Sequence, residues 1–211
     1  MKNKAAEIIR EYGPFPGIEN VHGVSFDGTQ VWFATGGRIE ALDPESGEIK
    51  RSLAVEAHAG TAFDGKYLFQ IADTVIRKVD PQTGEIVATI PAPGDGNSGL
   101  AWAEGSLWVG QYRDRLIHQI DPETGAVLRS IQSNRFVTGV TWVDGELWHG
   151  TWENDKSDIR RLDRESGEVL DRIDMPDGTI VSGLESDGGE RFFCGGGNSG
   201  KVRAARRPRK A

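Results

Sequence analysis

His22 and His58 are the two side chains whose type and placement best suit proton transfer. His22 stands directly before Gly23-Val24-Ser25-Phe26-Asp27-Gly28, and His58 two residues before Gly60-Thr61-Ala62-Phe63-Asp64-Gly65, two copies of one pattern. Equivalent positions in successive copies of a repeat face a common axis, so both imidazoles are expected at one end of it. A neutral imidazole there can serve as general base or as metal ligand. The alternative is that both histidines hydrogen-bond channel water or loop carbonyls. Glu19, Glu56 and Asp73 are the carboxylates near them, but no spacing here is diagnostic of a metal, so no metal ligand is assigned. The cofactor stays open, a divalent metal included.

A second set of residues falls where the loops of other repeats reach the same end. Asn97 leads into one inner strand, and Gln111-Tyr112-Arg113 and Trp152-Glu153 follow two second strands. With Glu19 they form the expected substrate-binding set. Trp152, Tyr112 and Phe15 would build an aromatic wall, and Arg113, Arg135 and Glu153 would supply charge, a mix that suits a small polar organic ligand. These loop positions differ between repeats while the turns and apolar positions recur, as expected of a specialised surface. Ordinary loop packing is the alternative. His118 is expected on an outer, solvated face. His149 shares the register of Gln70, and Cys194 lacks a neighbouring base and reads as a small packed residue. The run Gly195-Gly196-Gly197-Asn198-Ser199-Gly200 lacks the Lys-Ser/Thr and the helix of a phosphate loop.

The elements that must position these residues are written in a repeated turn. Asp43-Pro44-Glu45-Ser46-Gly47-Glu48 recurs as Asp80-Pro81-Gln82-Thr83-Gly84-Glu85, Asp121-Pro122-Glu123-Thr124-Gly125-Ala126 and Asp163-Arg164-Glu165-Ser166-Gly167-Glu168. Proline presets φ, the Asp and Ser/Thr oxygens bond nearby amides, and glycine takes the positive φ, so each copy reads as a hairpin. A period of roughly forty residues with strand-type segments is the mark of a β-propeller. Five openings (Gly23, Gly60, Gly99, Gly139, Gly183) precede inner strands. Five aliphatic or aromatic pairs, such as Val31-Trp32 and Leu147-Trp148, mark second strands whose alternate residues feed the two neighbouring interfaces.

The expectation is an all-β, five-bladed propeller of four-stranded antiparallel blades, at about 21–57, 58–95, 96–135, 136–178 and 179–204. The last blade has three strands of its own, near Gly183–Leu184, Arg191–Cys194 and Lys201–Ala204. Residues 6–12 have nowhere else to pair, so this N-terminal strand is expected to close blade five and remove an open edge. The propeller then spans 1–204, and 205–211 is a basic tail expected to be a solvated end.

A net charge of −7 argues against nucleic acid as the main partner. The charged N-terminus does not read as a signal peptide, and no segment is long and apolar enough to span a membrane. A lone cysteine excludes an internal disulfide and fits a reducing cytoplasm. The partners expected are a small polar molecule and, as an alternative, a protein.

Val143-Asp144-Gly145-Glu146-Leu147-Trp148 through Thr151-Trp152-Glu153-Asn154-Asp155, with Arg161-Leu162-Asp163 and Gly167-Glu168-Val169, resembles the plant-type glutamine cyclotransferase family. A weaker likeness over nearly all the blades is shared with virginiamycin B lyase-like propellers. The resemblance implies a five-bladed propeller with a pocket at one end of its channel, and it places the family's blade-four loop tryptophan on Trp152. The family's Phe-Thr-Gln-Gly lead-in reads Asn20-Val21-His22-Gly23, with histidine for glutamine. Its cyclase glutamate falls on Phe33, and its Asn-Glu-Leu-Glu stretch reads Thr138-Gly139-Val140-Thr141. The function expected is therefore a small-molecule enzyme at the channel mouth that uses histidine for elimination, cyclisation or hydrolysis. The alternative is a non-catalytic ligand- or protein-binding propeller.

Overall fold

A computed structural model describes residues 3–208. Among them every regular element is a strand, and the strands form five sheets. Blade one is built from Val24–Phe26, Val31–Ala34, Ile39–Leu42 and Ile49–Leu53. Blade two uses Thr61–Phe63, Leu68–Ala72, Val75–Val79 and Ile86–Pro91, and blade three Asn97–Ala103, Ser106–Gln111, Leu116–Ile120 and Val127–Gln132. Blade four comprises Val137–Val143, Glu146–Thr151, Asp158–Leu162 and Val169–Asp174. Blade five has Gly183–Ser186, Arg191–Gly195 and Val202–Arg206. Apart from the strands that the N-terminal segment adds to blades four and five, each sheet is an antiparallel meander from inner to outer strand.

The ring is closed twice by the N-terminal segment. Ile8–Tyr12 pairs antiparallel with Val202–Arg206 as the outer strand of blade five, as the absence of any other partner for it requires. The preceding strand, Asn3–Ala5, adds in parallel to Val169–Asp174 and makes blade four five-stranded. Three residues with no apolar alternation gave no sign of that strand in the sequence. Glu11 pairs with Arg203 at 2.6 Å and Lys201 at 2.9 Å, and Glu7 with Arg206 at 2.7 Å, which fixes the register of the closure. The final strand runs to Arg206, so the first residues of the expected tail are structural. Arg206 bridges Glu7 and Glu190, and Arg207, 7% exposed, pairs with Asp144. Residues 209–211 of that tail lie outside the described residues.

The turn that defines the repeat behaves as its chemistry dictates. In the first copy Gly47 donates to the Asp43 carbonyl at 2.7 Å, Asp43 donates to the Glu48 carbonyl at 3.0 Å, and Asp43 Oδ1 accepts from the Glu45 amide at 2.8 Å. Glycine is required at its fifth position, where φ is +78°. Amide donation to the side-chain oxygens holds the Asp43, Asp121 and Asp163 carboxyls below their ordinary range.

Packing between blades explains the inner glycines and the second-strand aromatics. A β-carbon on Gly23 would strike the backbone of Ala59 and Gly60, one on Gly60 that of Gly99 and Leu100, and so round to Gly183 against His22 and Gly23. Only glycine lets five inner strands approach this closely. Further out, Phe69 stacks on Trp102, and Trp108 packs tilted against Trp142, Trp148 against Phe192 and Phe193 against Phe26, with ring centres 4.9–5.6 Å apart. Each of these contacts joins one blade to the next. Five apolar clusters result, one per interface.

Candidate functional site

The loops that lead into the inner strands and those that join second to third strands form the channel mouth. Its residues divide into two arcs, over blades one and two and over blades three and four.

In the first arc, His22 donates its backbone N–H to the Ala34 carbonyl at 2.9 Å, which seats it at the start of blade one. Its ring is half-buried and makes no hydrogen bond to any described residue. Burial, and then the nearness of His58, lowers its affinity for a proton, so the imidazole is neutral at pH 7. His58 donates its backbone N–H to the Ile71 carbonyl at 3.1 Å and places Nδ1 2.9 Å from Asp73 Oδ1. Asp73 occupies the blade-two loop in the left-handed region, at φ +55°, a conformation that aspartate tolerates better than most residues. The structure thus brings together His22, His58 and Asp73. Among the described residues no three His, Cys, Asp or Glu side chains converge on a possible metal position, and Glu56 is engaged by Arg77 at 2.6 Å. Glu19 is exposed on the wall of an adjoining cleft of about 690 Å³ between residues 16–20 and the blade-one strands.

The second arc is closed by its own hydrogen bonds. Gln111 is 6% exposed: its amide nitrogen donates to the Pro93 carbonyl, and its oxygen meets His118 Nε2 at 2.9 Å. Asn97 donates to the Gly94 carbonyl at 2.9 Å, and its buried oxygen has no partner among the described residues. Tyr112 donates its hydroxyl to the Trp152 carbonyl at 3.3 Å and packs on Phe136, with ring centres 4.8 Å apart. Burial raises its pKa. Glu153 accepts from Arg115 at 2.7 Å and lies 3.6 Å from Arg135, which also donates to the carbonyls of Glu153 and Lys156. Trp152 is half-buried on this turn, and Arg113 is exposed, with no hydrogen-bond or ion-pair partner among the described residues. Of the expected binding set, Gln111 and Glu153 are committed to holding loops, whereas Trp152, Arg113 and Glu19 present free surface.

Beneath this arc lies a buried ionic network that sequence reasoning missed. Asp158, 1% exposed, accepts from Thr151 at 2.7 Å and from Arg160 at 2.6 and 2.9 Å, and Arg172 comes within 3.2 Å. Burial pushes the Asp158 carboxyl up, but the Arg160 hydrogen bonds and charge outweigh it and hold the group below its usual range. His149, fully buried, has its pKa pushed down to about 4 by burial and by Arg160. The available signal was Asp158-Ile159-Arg160: residues two apart on a strand share a face, and opposite charges there imply a pair.

Two expectations are corrected. His118 is not on a solvated face: it is 8% exposed, bonded to Ser130 at 2.7 Å and to Gln111. Its strand is the third of the blade and covered on both sides, so alternation sends it inward. Phe15 does not join Tyr112 and Trp152. It is buried against Phe33, with ring centres 5.2 Å apart, in the cluster between blades five and one. Cys194 is packed at 0% exposure, and burial pushes its thiol up to about 12, which leaves it inert as a nucleophile.

Glu185 was also missed. It stands on the innermost strand of blade five, where the other blades carry Ser25, Ala62, Ala101 and Thr141. Burial pushes its pKa up to about 7, against hydrogen bonds from the Thr141 hydroxyl and the Ser186 amide.

These features define a five-bladed propeller with a partly open mouth. A family model described as outer membrane protein assembly factor BamB (PQQ_2) matches residues 72–207, more than half of the chain, and the chain belongs to that family. Among solved structures, Myxococcus xanthus glutaminyl cyclase superposes with a TM-score of 0.79 at 19% identity, over 97% of this chain and 97% of that one. Kuenenia stuttgartiensis hydrazine synthase gives a TM-score of 0.53 at 18% identity, over 84% of this chain and 55% of that one. At such identities the likeness shows the fold, and the fold implied by the glutamine cyclotransferase resemblance is the one observed. No curated protein matches the chain.

Proposed function

We propose that the protein is an enzyme acting on a small polar molecule at the blade-one and blade-two side of the mouth, with His22 and His58 as its acid–base pair. The observation that carries this reading is an imidazole with no hydrogen-bond partner among the described residues beside a second one oriented by a carboxylate. His22, neutral and open, removes a proton from the substrate. His58, whose Nδ1–H is directed at Asp73, takes up a proton from solvent at Nε2 and delivers it to the leaving atom, while the proton lost by the attacking or eliminating atom goes to His22. Trp152 supplies an apolar platform across the opening. The likeness to a glutaminyl cyclase favours an intramolecular cyclisation or a related elimination. The carboxylate chemistry of the cyclotransferase family has no counterpart here, because Phe33 is fully buried and stacked on Phe15.

The test is a thermal-shift screen with small metabolites, glutaminyl peptides and divalent metals, followed by assay of whatever raises the Tm. His22→Ala and His58→Ala should each cut turnover by about 10²- to 10⁴-fold while leaving the fold intact. Turnover that survives in both variants overturns the assignment. The family's description as an assembly factor supports a second reading, a non-catalytic propeller that binds a protein or ligand at the same mouth. It requires saturable binding without product, and binding unaffected by loss of both histidines.

A further inference from the structure

The third strand of every blade carries a polar or charged side chain at one register position. Opposite Phe33, Gln70, Val109, His149 and Cys194 stand Glu40, Arg77, His118, Arg160 and Arg203. In four blades this group has a side-chain partner within the protein at hydrogen-bond distance, although Nη1 of Arg203 is left without one among the described residues. Arg77 pairs with Glu56 at 2.6 Å, His118 bonds Ser130 and Gln111, Arg160 bonds both oxygens of Asp158, and Arg203 pairs with Glu11 at 2.6 Å. A buried or part-buried polar group matched in this way is a structural element.

Blade one departs from the pattern. Its residue is an acid, 4% exposed, and only Oε1 has a hydrogen-bond partner, the Ser52 hydroxyl at 3.1 Å. The nearest cation, Arg38 Nη1, is 3.8 Å from that same oxygen, beyond hydrogen-bond reach, on a side chain 57% exposed. Oε2 has no partner among the described residues, and Glu40 lines the 690 Å³ cleft that also holds Glu19. Burial accordingly raises the Glu40 pKa, against the weaker pull of Ser52 and Arg38. Pro16, Ile18 and Ile49 offer apolar cover along the same cleft.

We propose that this cleft binds a primary alkylammonium group, with the ammonium donating to Glu40 and the alkyl chain lying along Ile18 and Ile49. An ammonium supplies the N–H donor that Glu40 Oε2 lacks, since Ser52 and the more distant Arg38 both lie against Oε1. Glu19 on the wall adds a second, solvated carboxylate. This assignment is independent of the histidine chemistry, since it concerns binding and uses neither imidazole.

The experiment is an amide chemical-shift titration of the full chain with butylammonium chloride at pH 8 and constant ionic strength, beside tetramethylammonium and calcium. Saturable shifts at Thr35, Arg38 and Ser52 are expected for butylammonium, retained in His22→Ala and weakened at least about tenfold in Glu40→Gln. Glutamine keeps the shape and the Ser52 hydrogen bond. Glu19→Gln, at an exposed position, should weaken binding severalfold and serves should the Glu40 variant misfold. Equal affinity in both glutamine variants, equally tight binding of tetramethylammonium, preferential binding of calcium, or no saturable shift would each overturn the proposal.

Discussion

The two arcs of the mouth are built from the same repeat positions and have opposite characters. Over blades three and four, Gln111, Tyr112, Arg115, Arg135 and Glu153 are tied to one another or to backbone carbonyls, above the buried Asp158–Arg160 pair. Over blades one and two, the His22 ring has no hydrogen-bond partner among the described residues, and His58 has only an exposed aspartate. Most of the polar groups in the arc over blades three and four are spent on holding loops, with the Asn97 oxygen and Arg135 Nε as exceptions among the described residues. Function is therefore read from the arc that stays incompletely satisfied, and fold stability from the arc that does not.

The sharpest way to break this contrast is to remove Asp158. Its loss leaves Arg160 buried without a counter-charge and releases Thr151, so Asp158→Ala should cost about 3–5 kcal/mol. For a domain of this size that lowers Tm by about 10 °C, read by calorimetry. A change below about 1 kcal/mol would show that the closed arc is not what holds the loops.

Acid and base titrations separate the closed arc from the channel wall by sign. The His149 pKa is about 4 when folded, below its ordinary 6.5, so the unfolded chain binds the extra proton first. Its contribution is full above pH 6.5 and is lost as pH falls towards 4, by about 3 kcal/mol. The Glu185 pKa is about 7, above its ordinary 4.5, so its contribution runs the other way and is lost as pH rises from 4.5 to 7. His149→Gln should therefore flatten the acid side of a urea-derived stability profile. Glu185→Gln should leave pH 5 nearly unchanged and raise stability at pH 8 by about 2–3 kcal/mol. Parallel profiles for wild type and both variants would refute these assignments.

The fold was legible because propeller architecture is periodic: the Asp hairpins, inner glycines and second-strand aromatics each recur at one structural position. Closure by residues 8–12 followed from counting strands. The parallel strand Asn3–Ala5 was not legible, because three residues held by backbone pairing leave no side-chain signature. Of the site, His22 and His58 could be placed by their offset from the inner glycines. Which polar residues are consumed was not readable, since Gln111 meets His118 and Arg135 reaches Glu153 through contacts that depend on strand twist and loop path. The third-strand series from Glu40 to Arg203 was readable in principle once register was known, and it points away from the histidines to the blade-one cleft.

The smallest stability effects are expected in the open arc, where they sharpen the contrast most. His22→Ala and His58→Ala remove side chains that carry little of the fold, so urea midpoints should correspond to changes within about 0.5 kcal/mol. Asp73→Asn should be equally mild for stability but visible at the ring it orients. In the wild type, Asp73 stands as acceptor to Nδ1–H of His58, and ¹⁵N shifts of the imidazole should report that tautomer. An asparagine can accept the same bond or flip to offer its amide, so the bias towards Nδ1–H should weaken while the His22 signals move little. An unchanged His58 tautomer in Asp73→Asn would mean that the aspartate merely neighbours the ring. The open arc would then hold two independent histidines in place of one oriented pair.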